Sequence, residues 1–148
     1  MIAQFIAAFL GTISFSLIFH VQKMYYPLCG MIGGIGWLVY LFTNSSVGAA
    51  GSSFVAAFVV TFLSRTFAIY KRCPVTIFLI SGIFPLVAGA GVYWTAHYLV
   101  TAQNQLCLES GMTTIKIAFA ITLGIVFVFE LPQNFFRKLL FWKKQPIQ

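Results

Sequence analysis

The sequence predicts an all-α, polytopic integral membrane protein of about five transmembrane helices, the fourth discontinuous between Ser81 and Gly91. Three observations predict it. The chain has 148 residues, 60% hydrophobic and 7% charged, with a mean hydropathy of +0.95. A soluble domain of this size leaves too much surface exposed to hide that much apolar material, so bilayer lipid is the solvent that suits it. Second, the apolar residues fall in runs able to cross a hydrocarbon core of about 30 Å at about 1.5 Å per helical residue. Third, with the N-terminus outside and the runs alternating, eight of the nine cations fall on one side. The preference of Lys and Arg for cytoplasmic loops requires that asymmetry.

The first run extends from Ile2 to Phe19, with Thr12, Ser14 and Ser16 as polar interruptions. It lacks the basic leader and small-residue cleavage pattern of a signal peptide, so it is expected to be a retained helix. A short inner loop from His20 to Tyr26 carries Lys23. Pro27 suits a first helical turn and opens the second run, which ends near Phe42. Its Gly30 and Gly34 form a GxxxG, which lets helices approach closely in lipid; packing within the chain is expected rather than homodimerisation. Thr43-Asn44-Ser45-Ser46 is predicted as an outer turn. Small residues open the third run, Val47 to Leu63. Ser64 to Cys73 is predicted as a basic inner loop holding Arg65, Lys71 and Arg72. The interrupted segment follows, from Pro74 to Val100. Thr101 to Gly111 is predicted as a polar outer loop holding Glu109, and Met112 to Phe129 is the last run. Lys116, near its start, can snorkel to the interface. Residues 1–131 thus form the transmembrane domain and 132–148 a basic amphipathic cytoplasmic tail. In that tail Phe135, Phe136, Leu139 and Leu140 share a face that Arg137, Lys138, Lys143 and Lys144 mostly avoid, a pattern suited to an anionic lipid surface. Tyr25 and Tyr26 fall at the inner boundary, Tyr93, Trp94 and Tyr98 at the outer one. The expectation is a multi-pass plasma-membrane protein, N-terminus outside and C-terminus cytoplasmic.

The fourth segment is poorly suited to a continuous helix. Pro85 offers no N–H to the carbonyl of Ser81 and pushes Phe84 away from helical angles. Gly82, Gly89 and Gly91 each weaken a helix by about 1 kcal/mol relative to Ala. The predicted break falls near mid-membrane, where orphaned backbone groups cost several kcal/mol unless protein or a watery cavity meets them. Such a break serves either packing or binding, since Pro and Gly are common in membrane helices and a kink can be purely structural.

Composition excludes several functions. The net charge of +7 does not point to nucleic acid, because the cations sit in short loops and at the C-terminus. Asp is absent, and Glu109 and Glu130 are the only acids. Cys29, Cys73 and Cys107 are odd in number and lack CxxC spacing, which suits neither a disulfide frame nor a metal site. No GxSxG, HExxH or Walker motif occurs, so no enzyme is expected. Glu130 at the inner end of the last run reads as a solvated end or a partner for Arg65 or Arg72, and His97 as an interfacial histidine. A small pore is disfavoured because no run carries a polar stripe long enough to line water.

Around the break, Pro74-Val75-Thr76-Ile77-Phe78 and the string from Ser81 to Tyr93 (SGIFPLVAGAGVY) resemble the threonine/serine exporter family, specifically its small split subunit. The family pattern runs roughly PxTVF, then PGI-PLVPGAGxY. The stretch Gly30-Met31-Ile32-Gly33-Gly34-Ile35-Gly36-Trp37-Leu38-Val39-Tyr40 is similar too, so the likeness covers most of the chain from Pro27 to Phe129. Ser81 and Ala88 stand where the family often has Pro, and a less rigid break is expected. The resemblance implies a subunit of a secondary exporter. It would move threonine and serine outward on the proton gradient with a larger partner subunit, in a bilayer and possible higher oligomers. In some members the solute is a dicarboxylate such as succinate. A non-conducting scaffold for a partner is the alternative from another class.

On that reading the two half-helices expose carbonyls near Ser81 and N–H groups at Gly89, Ala90 and Gly91, which suit the ammonium and carboxylate of an amino acid. The hydroxyls of Ser81 or Thr76 would meet a substrate hydroxyl. The candidate substrate-binding residues are therefore Thr76, Ser81, Gly82, Pro85, Gly89, Ala90 and Gly91.

Overall fold

The computed structural model describes residues 2–87 and 89–132; Ala88 in the break and the tail predicted at 133–148 lie outside them. The described residues are mainly helical, with no strand: α1 (Ile2–Ile18), α2 (Tyr26–Lys71), α3 (Val75–Ile83), α4 (Gly89–Val100) and α5 (Asn104–Glu130). Short 3-10 turns occupy Lys23–Tyr25 and Phe84–Leu86. By length and composition α2 and α5 can each cross a membrane, and α3 with α4 can if the bent pair is one span; α1 is shorter.

The 46 residues of α2 are not one rod. Gly48 alone is non-helical, at φ 79° and ψ 173°. A Cβ on Gly36 would strike Val60, and Ser52 Oγ lies 3.4 Å from Asn44 Oδ1. Both pairs are centred on residue 48, so the helix folds back there into two antiparallel arms, 26–47 and 49–71. Each arm is about 33 Å long at about 1.5 Å per residue. The predicted turn at Thr43–Ser46 is therefore displaced. Those residues stay helical, and the chain reverses at a glycine, the residue that takes a positive φ without strain.

Two other predicted loops are shorter in the structure. The helix runs through Arg65 to Lys71, because nothing breaks it before the turn made by Arg72 (φ 54°) and Pro74. The outer loop shrinks to residues 101–103, with Ala102 at φ 55°, and α5 starts at Asn104. Glu109 is consequently a helix residue. Tyr25, in the turn between α1 and α2, is buried, edge-on to Phe78 with ring centroids 5.5 Å apart.

Small residues set the helix spacing. Against α1, a Cβ on Gly30 would meet Phe9, one on Gly33 Thr12, and one on Gly34 Phe5. The GxxxG thus packs within the chain, as expected. Against α5, a Cβ on Gly124 would lie 2.8 Å from the Phe54 carbonyl oxygen and 3.2 Å from the Phe58 nitrogen. Backbone cannot rotate aside as a side chain can. Gly124→Ala is expected to destabilise the chain by about 1–3 kcal/mol, read as a lower melting midpoint in detergent. Arg65 anchors the other end of α5: it is 7% exposed, and its Nη1 donates to the carbonyls of Val128 and, at 3.2 Å, Phe129. Gly124 lies against residues 54–58 and Val128 against Arg65, so α5 runs parallel to the second arm of α2.

Candidate functional site

The interruption follows from its residues. Pro85 cannot meet the Ser81 carbonyl, so α3 stops at Ile83 and tightens into the Phe84–Leu86 turn. Val87 is extended at φ −60° and ψ 134°. Its N–H donates to Phe84 O at 3.2 Å, and the Gly89 N–H donates back to Val87 O at 2.7 Å. The helix restarts at Gly89, and the two halves meet at 45°.

The two sides of the break differ. The core side is closed. Ser81 is 1% exposed, Gly82 is buried, and a Cβ on Gly82 would lie 2.9 Å from Ile32 and 3.1 Å from Val60. The α1 side is open: a cavity of about 280 Å³ lies between Phe84 and Pro85, Trp37, and the α1 residues Gln4, Ala7, Ala8, Gly11 and Phe15. The Phe15 ring stacks on Phe84, centroids 3.4 Å apart. A Cβ built on Gly11 meets nothing within 4 Å. The cavity therefore exists partly because residue 11 has no side chain. Gln4 supplies the one side-chain amide among the lining residues.

The predicted site residues do not all converge. Pro85 lines the cavity. Ser81 and Gly82 stand behind it in the core, and the Ser81 hydroxyl donates to Ile77 O, which leaves only its lone pairs. Gly89 and Ala90 are exposed in the first turn of α4, where N–H groups have no intrahelical acceptor; Gly89 spends its own on Val87. Gly91 faces α5, where a Cβ would strike Thr114. Thr76 is exposed in the first turn of α3, about 7–8 Å of helical rise from Ser81, and is not brought to the break. His97 is exposed within an aromatic group, its ring 6.2 Å from that of Tyr93, and Glu130 is exposed in the last turn of α5. Arg65 is spent on the end of α5. No His, Cys, Asp and Glu group suited to a metal occurs among the described residues.

Sequence reasoning placed no site residue on α1. A signal existed: Gln4, Ala7, Ala8, Gly11 and Phe15 repeat at helical spacing, with the small residues in the middle. Such a stripe reads equally as a packing face, and only the position of Phe84 distinguishes the two.

Apolar helices of spanning length, packed through glycines about an interrupted one, define the class as an integral membrane protein of the α-helical kind. Within that class the assignment is narrower. The family model described as Threonine/Serine exporter, ThrE matches residues 4–130, and the chain belongs to that family. It is a family of transporters rather than enzymes, and its members act on a small-molecule substrate in a membrane. No curated protein and no solved structure matches the chain.

Proposed function

We propose that the chain is the small subunit of a secondary exporter that moves threonine and serine outward, driven by the proton gradient, together with a larger partner subunit. It crosses the plasma membrane five times, N-terminus outside and C-terminus in the cytoplasm. The spans are α1, the two arms of α2, α3 with α4 as a discontinuous fourth, and α5. The observation that carries the reading is the cavity of about 280 Å³ opening directly on the break at Phe84 and Pro85. In this reading the Ser81 carbonyl, freed by Pro85 but closed off behind the cavity in this conformation, takes the solute ammonium when the break opens. The N–H groups of Ala90 and Gly91, at the positive end of α4 with Gly89, take its carboxylate. The Thr76 hydroxyl stands outside this arrangement.

The test is counterflow in proteoliposomes holding both subunits, with threonine, serine and succinate compared. Threonine and serine are expected to exchange, and Pro85→Ala and Gly89→Leu to slow exchange at least tenfold. Gly89 is a cleaner target than Gly91, since a Cβ there meets nothing within 4 Å. Preferential exchange of succinate would reassign the solute to a dicarboxylate. Export by the partner alone would make this chain a scaffold.

Topology has its own test in the native cysteines. Cys29 is fully buried, Cys73 lies half-buried in the turn between α2 and α3, and Cys107 half-buried in the first turn of α5. An impermeant maleimide on intact cells is expected to label Cys107, and to reach Cys73 only after permeabilisation. Burial pushes the Cys73 thiol up from its ordinary value, so less of it is thiolate at neutral pH. Its labelling is therefore expected to accelerate from pH 7 to pH 9.

A further inference from the structure

A second cavity, of about 460 Å³, lies between α4 and α5; it shares no lining residue with the first, and Gly91 forms part of its wall. Its walls include Trp94 and Tyr98 from α4, and Glu109, Thr113 and Thr114 from α5. Glu109 is one of only two acids in a chain of net charge +7. Among the described residues its carboxylate has no hydrogen-bond or ion-pair partner. Thr113 Oγ1 donates to Glu109 O at 2.9 Å, and Thr114 Oγ1 donates to Ser110 O at 2.7 Å. A hydroxyl has one proton, so both oxygens can offer only lone pairs to a ligand. The rings of Trp94 and Tyr98 are stacked, centroids 5.8 Å apart, and both residues line the cavity.

We infer that this groove is a binding site for a small primary organic ammonium. Three features select that chemistry together. The acceptors, a carboxylate and two threonine oxygens, match the three N–H donors of an ammonium. The aromatic pair attracts a cation and packs the carbon attached to it. A carboxylate ligand meets Glu109 with like charge and finds no threonine proton to accept. A divalent metal is disfavoured because a single carboxylate supplies too few charged ligands. Lys116 and His97 are the nearest cationic side chains on the two helices, and neither lines the cavity. The inference goes beyond the exporter reading in its ligand class, which follows from the groove's own side chains, and touches that reading only at Gly91, which lines the groove as well.

The test is equilibrium binding to the full chain in lipid nanodiscs, by calorimetry. The probes are ethanolamine, with an ammonium and no carboxylate, and 3-hydroxybutyrate, with a carboxylate and no ammonium. Ethanolamine is expected to bind the wild type, and Glu109→Gln to weaken it at least tenfold. Trp94→Leu is expected to weaken it several-fold, and Glu109→Asp to retain part of the affinity. 3-Hydroxybutyrate is expected not to bind the wild type measurably, and Glu109→Gln, which removes the like charge, is expected not to weaken it. Because Glu109 is exposed and unpartnered, the Gln variant should keep the wild-type melting midpoint. Equal ethanolamine affinity in wild type and Glu109→Gln, or no binding to the wild type, overturns the inference. Failure of threonine counterflow would instead sink the exporter reading and leave the ethanolamine result to decide this one.

Discussion

Gly11→Leu is expected to abolish export, to below a tenth of the wild-type rate, in a protein that folds as well as the wild type or better. The expectation rests on an asymmetry among the glycines. A side chain at residue 30, 33, 34, 36, 82 or 124 collides with a neighbour, so loss of activity there would report damaged packing. At residue 11 an added Cβ meets nothing within 4 Å, and the residue lines the cavity beside Pro85. A leucine there enters the cavity and displaces whatever occupies it. It also replaces a poor helix former by a good one, a gain of about 0.5–1 kcal/mol in helix propensity. Ser14→Leu is the matched control, because Ser14 is exposed and does not line the cavity. Counterflow and the melting midpoint should be measured on both variants. Wild-type exchange by Gly11→Leu would remove the cavity from the solute path, whatever role the break retains.

How much of this was legible in the residues differs between backbone and site. Pro74, Pro85 and the glycines after it marked the boundaries of α3 and α4, because proline and glycine act locally, through a missing donor and a missing side chain. Polar residues were a poorer guide. Thr43–Ser46 and residues 104–111 were read as loops for their polarity, yet both are helical. A polar residue breaks no backbone hydrogen bond, and Thr113 and Thr114 simply return their hydroxyl protons to the carbonyls four residues back. The consequence at the site is direct: with α5 starting at Asn104, Glu109 becomes a groove residue rather than part of a loop. The cavity against the break escaped for another reason. Its walls come from α1, from the first arm of α2 and from the 3-10 turn, and no local pattern reports which stripe of α1 faces Phe84.

Arg65 carries the second large effect, and here the sequence suggested a loop where the structure has a helix. Its place among other cations suggested a loop residue whose charge fixes orientation. In the fold it is 7% exposed and donates to the Val128 and Phe129 carbonyls, with its guanidinium 5.7 Å from the centre of the Phe129 ring. Carbonyls in the last turn of a helix lack intrahelical donors and carry partial negative charge, so a buried cation answers both needs. Arg65→Leu strips those donors from a buried helix end and is expected to cost about 2–5 kcal/mol. That corresponds to a melting midpoint lower by roughly 5–15 °C in detergent. Arg65→Lys keeps the charge but replaces the planar fork by a point donor, and should recover only part of the loss. Because α5 also forms one wall of the Glu109 groove, the Leu variant should lose ethanolamine binding in step with stability. Glu109→Gln should lose binding alone. Equal melting midpoints for wild type and Arg65→Leu would mean that Gly124 and its neighbours hold α5 in place without the guanidinium.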